Sequence, residues 1–194
     1  MESWEINGQT LEYIDECHLY LVDGIIVPSV TQLLGRKFGH KYDGISSATL
    51  QNAAERGTMI HKAIEDYCHG VESDLEEVSD FAFLMDKYNF KVIENELPII
   101  LNIGGETFGG RLDLILQKDN EIGMAVADIK TTSTLDKEYL GFQLNLYRIG
   151  VEQSYGLNIT SLYGIHLRQG KRKVVEIPIK EAEWLDESLN IAGV

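Results

Sequence analysis

The chain has 194 residues, 44% hydrophobic and 25% charged, the length and balance of one globular domain with a sizeable core. Its 31 acids and 17 bases leave a formal net charge of −14. That argues against a broad basic surface for nucleic acid, but it leaves room for a local basic strip and for carboxylates that hold a hard cation.

No apolar run approaches the ~20 residues of a membrane span. The start, Met1-Glu2-Ser3-Trp4-Glu5, has neither the basic patch nor the apolar stretch of a secretory signal. A cytoplasmic protein with no membrane partner is expected. Cys17 and Cys68 lie far apart, show no zinc spacing and are too few for an iron–sulfur cluster. They are expected as free, buried or half-buried thiols.

In chain order, Trp4–Ile6, Thr10–Ile14, Leu19–Val22 and Ile25–Val27 read as short strands, with hairpin turns at Asn7-Gly8 and Asp23-Gly24. Pro28-Ser29 opens a short helix through Leu34, with Ser29 as its cap and Gly35 as its stop. A basic cluster follows, Arg36, Lys37, His40 and Lys41. Ser46 or Ser47 starts a long helix to about Cys68, with Met59, Ile60, Ala63, Ile64 and Tyr67 at helical spacing. Glu72, Asp74, Glu76, Glu77 and Asp80 carry no base among them and read as a solvated helix face. A helix over Leu75–Tyr88 has Val78, Phe81, Ala82, Leu84 and Met85 as its core stripe.

Lys91–Leu101, Gly110–Gln117 and Met124–Thr131 then read as strands, the last two joined by a turn at Lys118-Asp119-Asn120-Glu121. A long helix over Leu135–Tyr155 stops at Gly156. Strands Ile159–Leu167 and Lys173–Ile179 flank Arg168-Gln169-Gly170-Lys171, and an acidic helix starts near Lys180. The order predicts an α/β (mixed α+β) fold: a central mixed sheet flanked by helices. Strand 124–131, the next helix and strand 159–167 would form a right-handed crossover. Residues 1–45 are expected as a β-hairpin extension and 46–194 as the core.

Asp128-Ile129-Lys130 carries the chemistry. Residues i and i+2 of a strand share a face, so Asp128 and Lys130 project together with Val126, while Ala127 and Ile129 turn to the other side. Charge in an apolar strand needs a partner or a metal. Asp113 lies on the preceding strand, one hairpin turn away, so the two carboxylates can meet at one end of the sheet. Two aspartates, a backbone carbonyl and water suit Mg²⁺. Phosphodiester hydrolysis needs such an ion and a cation beside the attacking water. Lys130 could orient that water or take its proton.

Gly110-x-x-Asp113, Asp128-Ile-Lys130-Thr131-Thr132 and Gln143-x-x-x-Tyr147, with Arg56-Gly57-Thr58-x-x-His61-x-x-x-Glu65 upstream, resemble the RecB-like branch of the PD-(D/E)XK nucleases over about residues 20–180. The restriction-endonuclease-like core of that superfamily is therefore implied. The resemblance makes Asp113 and Asp128 the metal-binding acids, with the Ile129 carbonyl as a further ligand, and Lys130 the catalytic lysine. It adds His61 as a ligand and Glu96 as an acid on the preceding strand, with Glu94 as its rival. Glu65 would support His61 or Lys130. Gln143 and Tyr147 would brace the site or touch DNA. Arg56, Arg168, Lys171 and Arg172 are candidate DNA contacts.

Four-cysteine members of the branch carry a cluster that this chain lacks. It looks more like the small phage exonucleases, which implies Mg²⁺ or Mn²⁺, DNA as substrate, and a bacterial or phage-infected cell. A recombination partner protein or a ring-shaped homo-oligomer is left open by the same resemblance. The rival reading is a catalytically inactive module of the same fold that binds DNA or protein.

Overall fold

The computed structural model describes residues 1–119 and 121–191. Among them the chain forms nine strands and five α-helices. The N-terminal strands β1 (Glu2–Ile6), β2 (Gln9–Ile14), β3 (Leu19–Val22) and β4 (Ile25–Val27) make an antiparallel meander. Asn7-Gly8 and Asp23-Gly24 close two of its hairpins, with all four residues at positive φ, as two-residue turns of this twist require.

The second sheet has the order β5 (Phe90–Ile103), β6 (Glu106–Lys118), β7 (Met124–Lys130), β8 (Ile159–Arg168), β9 (Lys171–Glu176). β7 and β8 pair in parallel through α4 (Lys137–Tyr155), and the other neighbours are antiparallel. This is the expected mixed sheet. Residues on alternate sides of β7 join different cores. Val126 packs with α1 (Val30–Phe38), α4 and α5 (Ala182–Leu189). Ala127 and Ile129 pack with α2 (Ser47–Cys68) and α3 (Glu76–Tyr88). No described helix is long and apolar enough to cross a membrane.

Several expectations are corrected. Gly35 does not stop α1, which runs on to Phe38. Ser29 and Gln32 form a reciprocal capping box, and Leu34 and Phe38, one turn apart, are both buried. That burial outweighs the ~1 kcal/mol cost of an interior glycine. α1 thus contributes Val30, Leu33, Leu34 and Phe38 to the main core. In α2, Ile60 and Ile64 are buried, but Met59 and Tyr67 face solvent.

The acids of α3 are not all solvated. Glu77 and Asp80 are each 5% exposed, because they face bases on neighbouring elements: Glu77 pairs with Arg56 of α2, and Asp80 lies 2.7 Å from Arg172 of β9. Cys17 is exposed and Cys68 partly buried, both free. Asn120, placed in the turn before β7, lies outside the described residues.

Candidate active site

The β6–β7 ladder pairs Leu114 with Ala127 and then stops. One residue further, Asp113 and Asp128 lie across from each other. The Asp113 carboxylate takes over from the backbone there: its Oδ2 accepts the Ile129 N–H at 2.6 Å. Asp128 is 1% exposed and lies 2.7 Å from Lys130 Nζ. Lys130 also sits 5.9 Å from the ring centre of Tyr139.

His61 reaches this sheet end from α2. Its helix passes close: a Cβ at Gly57 would lie in ordinary contact, 3.4 Å from the Thr131 hydroxyl. His61 Nε2 donates to the Ile129 carbonyl at 3.1 Å, and Nδ1 lies 3.6 Å from Asp113 Oδ2. The Ile129 carbonyl, expected as a ligand, therefore fixes the imidazole and turns Nδ1 toward the acids.

Glu96 completes the set. Ligand atoms of His61, Glu96 and Asp113 all lie within 4.8 Å of one another. Glu96 has φ 48°, a left-handed conformation that costs a non-glycine residue roughly 1–3 kcal/mol. The other positive-φ residues with a side chain sit in hairpin turns or at helix ends; Glu96 alone among the described residues sits inside a strand. Glu94 is exposed and pairs across to Ile115, after a bulge between Val92 and Glu94.

The charges interact strongly. Burial and Asp113 push the Glu96 carboxyl up to about 7 against the pull of Arg111. Burial and Asp113 likewise raise Asp128 to about 6, with Lys130 opposing. Burial would lower His61, but the Asp113 carboxylate overrides it and lifts the imidazole to about 9. Burial also opposes ionisation of Asp113, and His61 and Lys130 still hold it below the ordinary range. Lys130 stays above its ordinary value, since Asp128 and Asp113 outweigh its burial.

This donor set fits a divalent cation. It offers the Glu96 and Asp113 carboxylates and the His61 imidazole within reach of one ion, with the Asp128 carboxylate across the strand pair from Asp113. Transfer of the Nδ1 proton would ready His61 as a ligand.

The remaining candidates divide. Gln143 and Tyr147 are 5% and 4% exposed, with Tyr147 next to Gln143 and close enough to Asp128 and Asp113 to feel their charge. Glu65 pairs with Lys62 at 3.1 Å, while the backbone supports His61. Arg56 is tied to Glu77, and Arg172 to Asp80 with its guanidinium 3.7 Å from the Phe83 ring centre. Arg168 donates to the Thr131 carbonyl at 3.1 Å, and Lys171 is exposed at the β8–β9 turn.

A cleft of 860 Å³ opens beside Lys130. Residues 131–134, Lys41 and Arg168 supply its polar lining, and Ile45, Leu50 and Ala53 its apolar lining. Sequence reasoning missed Arg111 and Tyr139. Arg111 was open to the alternation rule, being two residues before Asp113 on one strand; Tyr139 reaches Lys130 from a helix, which strand spacing cannot reveal.

No curated protein matches the chain. Among solved structures, the crystal structure of SSO0001 is 18% identical, covering 86% of this chain and 73% of its own, with a TM-score of 0.49. A structure titled "Putative exonuclease" from Eubacterium rectale is 10% identical, covering 81% and 68%, with a TM-score of 0.41. A sequence profile of the PD-(D/E)XK nuclease superfamily matches residues 82–190, which hold Glu96, Asp113, Asp128 and Lys130. The chain belongs to the PD-(D/E)XK nuclease superfamily.

Proposed function

We propose that the chain is a divalent-metal-dependent deoxyribonuclease, an exonuclease acting on DNA ends in phage-type recombination or repair. The observation that carries this reading is the placing of Lys130 2.7 Å from Asp128 and beside the His61, Glu96 and Asp113 set, at the edge of an open cleft. Asp113, Glu96 and His61 would hold Mg²⁺ or Mn²⁺, with the Asp128 carboxylate beside them. Such an ion supplies Lewis-acid polarisation of a phosphoryl oxygen and acidification of a water.

The protein's own groups do the rest. Lys130 remains an ammonium, because Asp128 and Asp113 keep its proton on Nζ. It therefore acts as a donor that orients the attacking water and offsets charge developing on the phosphoryl oxygens. Asp128 aims that ammonium. The buried Gln143 and Tyr147 would brace the carboxylates from the helix behind them. Arg168, Lys41 and the hydroxyls of Thr131, Thr132 and Ser133 are placed to hold phosphates of a strand lying in the cleft.

The test is cleavage of linear and covalently closed DNA with Mg²⁺, comparing wild type with Asp128→Asn. The reading expects linear DNA to be degraded, closed circles to persist, and Asp128→Asn to lose about 10²–10⁴-fold in rate. Equal activity in the variant refutes the site, and cutting of closed circles refutes the exonuclease. A wild type that binds the ion but cuts nothing supports the non-catalytic rival.

A further inference from the structure

Four side chains of the N-terminal sheet converge on Arg111 of β6. Glu2 accepts from its Nη1 at 3.1 Å. The guanidinium carbon lies 5.7 Å from the Trp4 ring centre and 5.1 Å from that of Tyr13, and Tyr20 is close enough to feel its charge. The remaining edge of the guanidinium faces the site, with Nε 3.6 Å from Glu96 Oε2. Glu96 is the residue whose backbone is left-handed within a strand. Glu96 is unpaired in the β5–β6 ladder, whereas Asn95 and Leu97 on either side of it are paired. An arginine fork fixed by a carboxylate and two aromatic faces is a rigid support for a strained neighbour.

We propose that Arg111 is a positioning residue: clamped by the N-terminal sheet, it aims Glu96 at the ion site shared with His61 and Asp113. This rests on the metal-centre reading of that site. It assigns the N-terminal sheet a role as the wall that sets the geometry of one ligand. Charge alone would work the other way, since a guanidinium near a cation site repels the cation. The two roles therefore differ in sign.

The test is calorimetric titration of Mn²⁺ into the full chain as wild type, Arg111→Ala, Glu96→Gln and the double variant. Positioning predicts that Arg111→Ala weakens Mn²⁺ binding about 10-fold, the scale of outer-shell partners. Glu96→Gln weakens it at least as much, and the double variant binds no more weakly than Glu96→Gln alone. Unchanged or tighter binding in Arg111→Ala, additive losses in the double variant, or wild-type binding in Glu96→Gln each overturn the proposal. If Arg111→Ala does not fold, Glu2→Gln carries the test from outside the site. It should weaken binding roughly 2–5-fold, the size of an exposed ion pair, and only where Glu96 is present; no weakening overturns it. Cleavage assays on the same proteins separate the two readings: the expected Mn²⁺ pattern in a chain that cuts no DNA refutes the nuclease and upholds Arg111.

Discussion

Three site groups shift so that the ion-free chain loses stability as pH rises. His61 lies above its ordinary 6.5 at about 9, so its contribution is full below 6.5 and is lost as pH passes through 9. Glu96 and Asp128 are acids raised from 4.5 to about 7 and from 3.8 to about 6, so the folded state holds their protons longer and loses stability across those intervals. A bound divalent ion needs His61 and Glu96 deprotonated, so its stabilising effect should grow with pH. Thermal melts from pH 5 to 8 should show a falling Tm without Mn²⁺ and a Mn²⁺-induced gain that widens with pH; His61→Asn and Glu96→Gln should narrow it. A gain independent of pH in the wild type would contradict this account. At this scale, the shared face of Asp128 and Lys130 was legible because strand alternation is strictly two-residue, and their nearness to Asp113 because one hairpin turn joins the two strands. The choice between Glu94 and Glu96 was not, because the bulge before Glu94 and the left-handed φ of Glu96 break that period.

Elements whose termini carry local signals were read closely. Ser46 caps α2 and Gly156 ends α4 in the left-handed conformation, because caps and stops act within one turn of the chain. Gly35 misled because its neighbours' packing, a tertiary effect, decides whether a helix continues. The contact between the two sheets was equally hidden. A Cβ on Gly109 of β6 would meet the Tyr20 ring of β3 at 2.5–2.7 Å, against the body of the side chain. Gly109→Ala should therefore destabilise the fold by about 1–3 kcal/mol, as overpacked cores do. Denaturant melts would measure it, with Tm falling roughly 2–4 °C per kcal/mol. A neutral effect would mean that the N-terminal sheet is free to move off β6.

For the whole molecule, the −14 charge was visible at once, and so was its message that any hold on DNA is local. Which bases do the holding was not legible, because pairing consumes many of them. Arg36 binds Glu106, Arg56 binds Glu77 and Arg172 binds Asp80. The cleft is lined by three cationic side chains, Lys130 held by Asp128, Lys41 held by Asp136 of the same lining, and Arg168. Binding of Asp128→Asn to labelled DNA should thus depend weakly on salt, with a log–log slope of about −2 to −3. A slope of about −6 or steeper would require a phosphate-binding surface elsewhere.

The central claim is that His61, Glu96 and Asp113 share one ion beside Asp128 and Lys130. Anomalous scattering from crystals soaked in Mn²⁺ tests it most directly. The account predicts one strong peak bounded by the His61 Nδ1 and the Glu96 and Asp113 carboxylates, at ligand distances of about 2.0–2.3 Å. A saturated crystal with its Mn²⁺ elsewhere, or with none at these three residues, would contradict it.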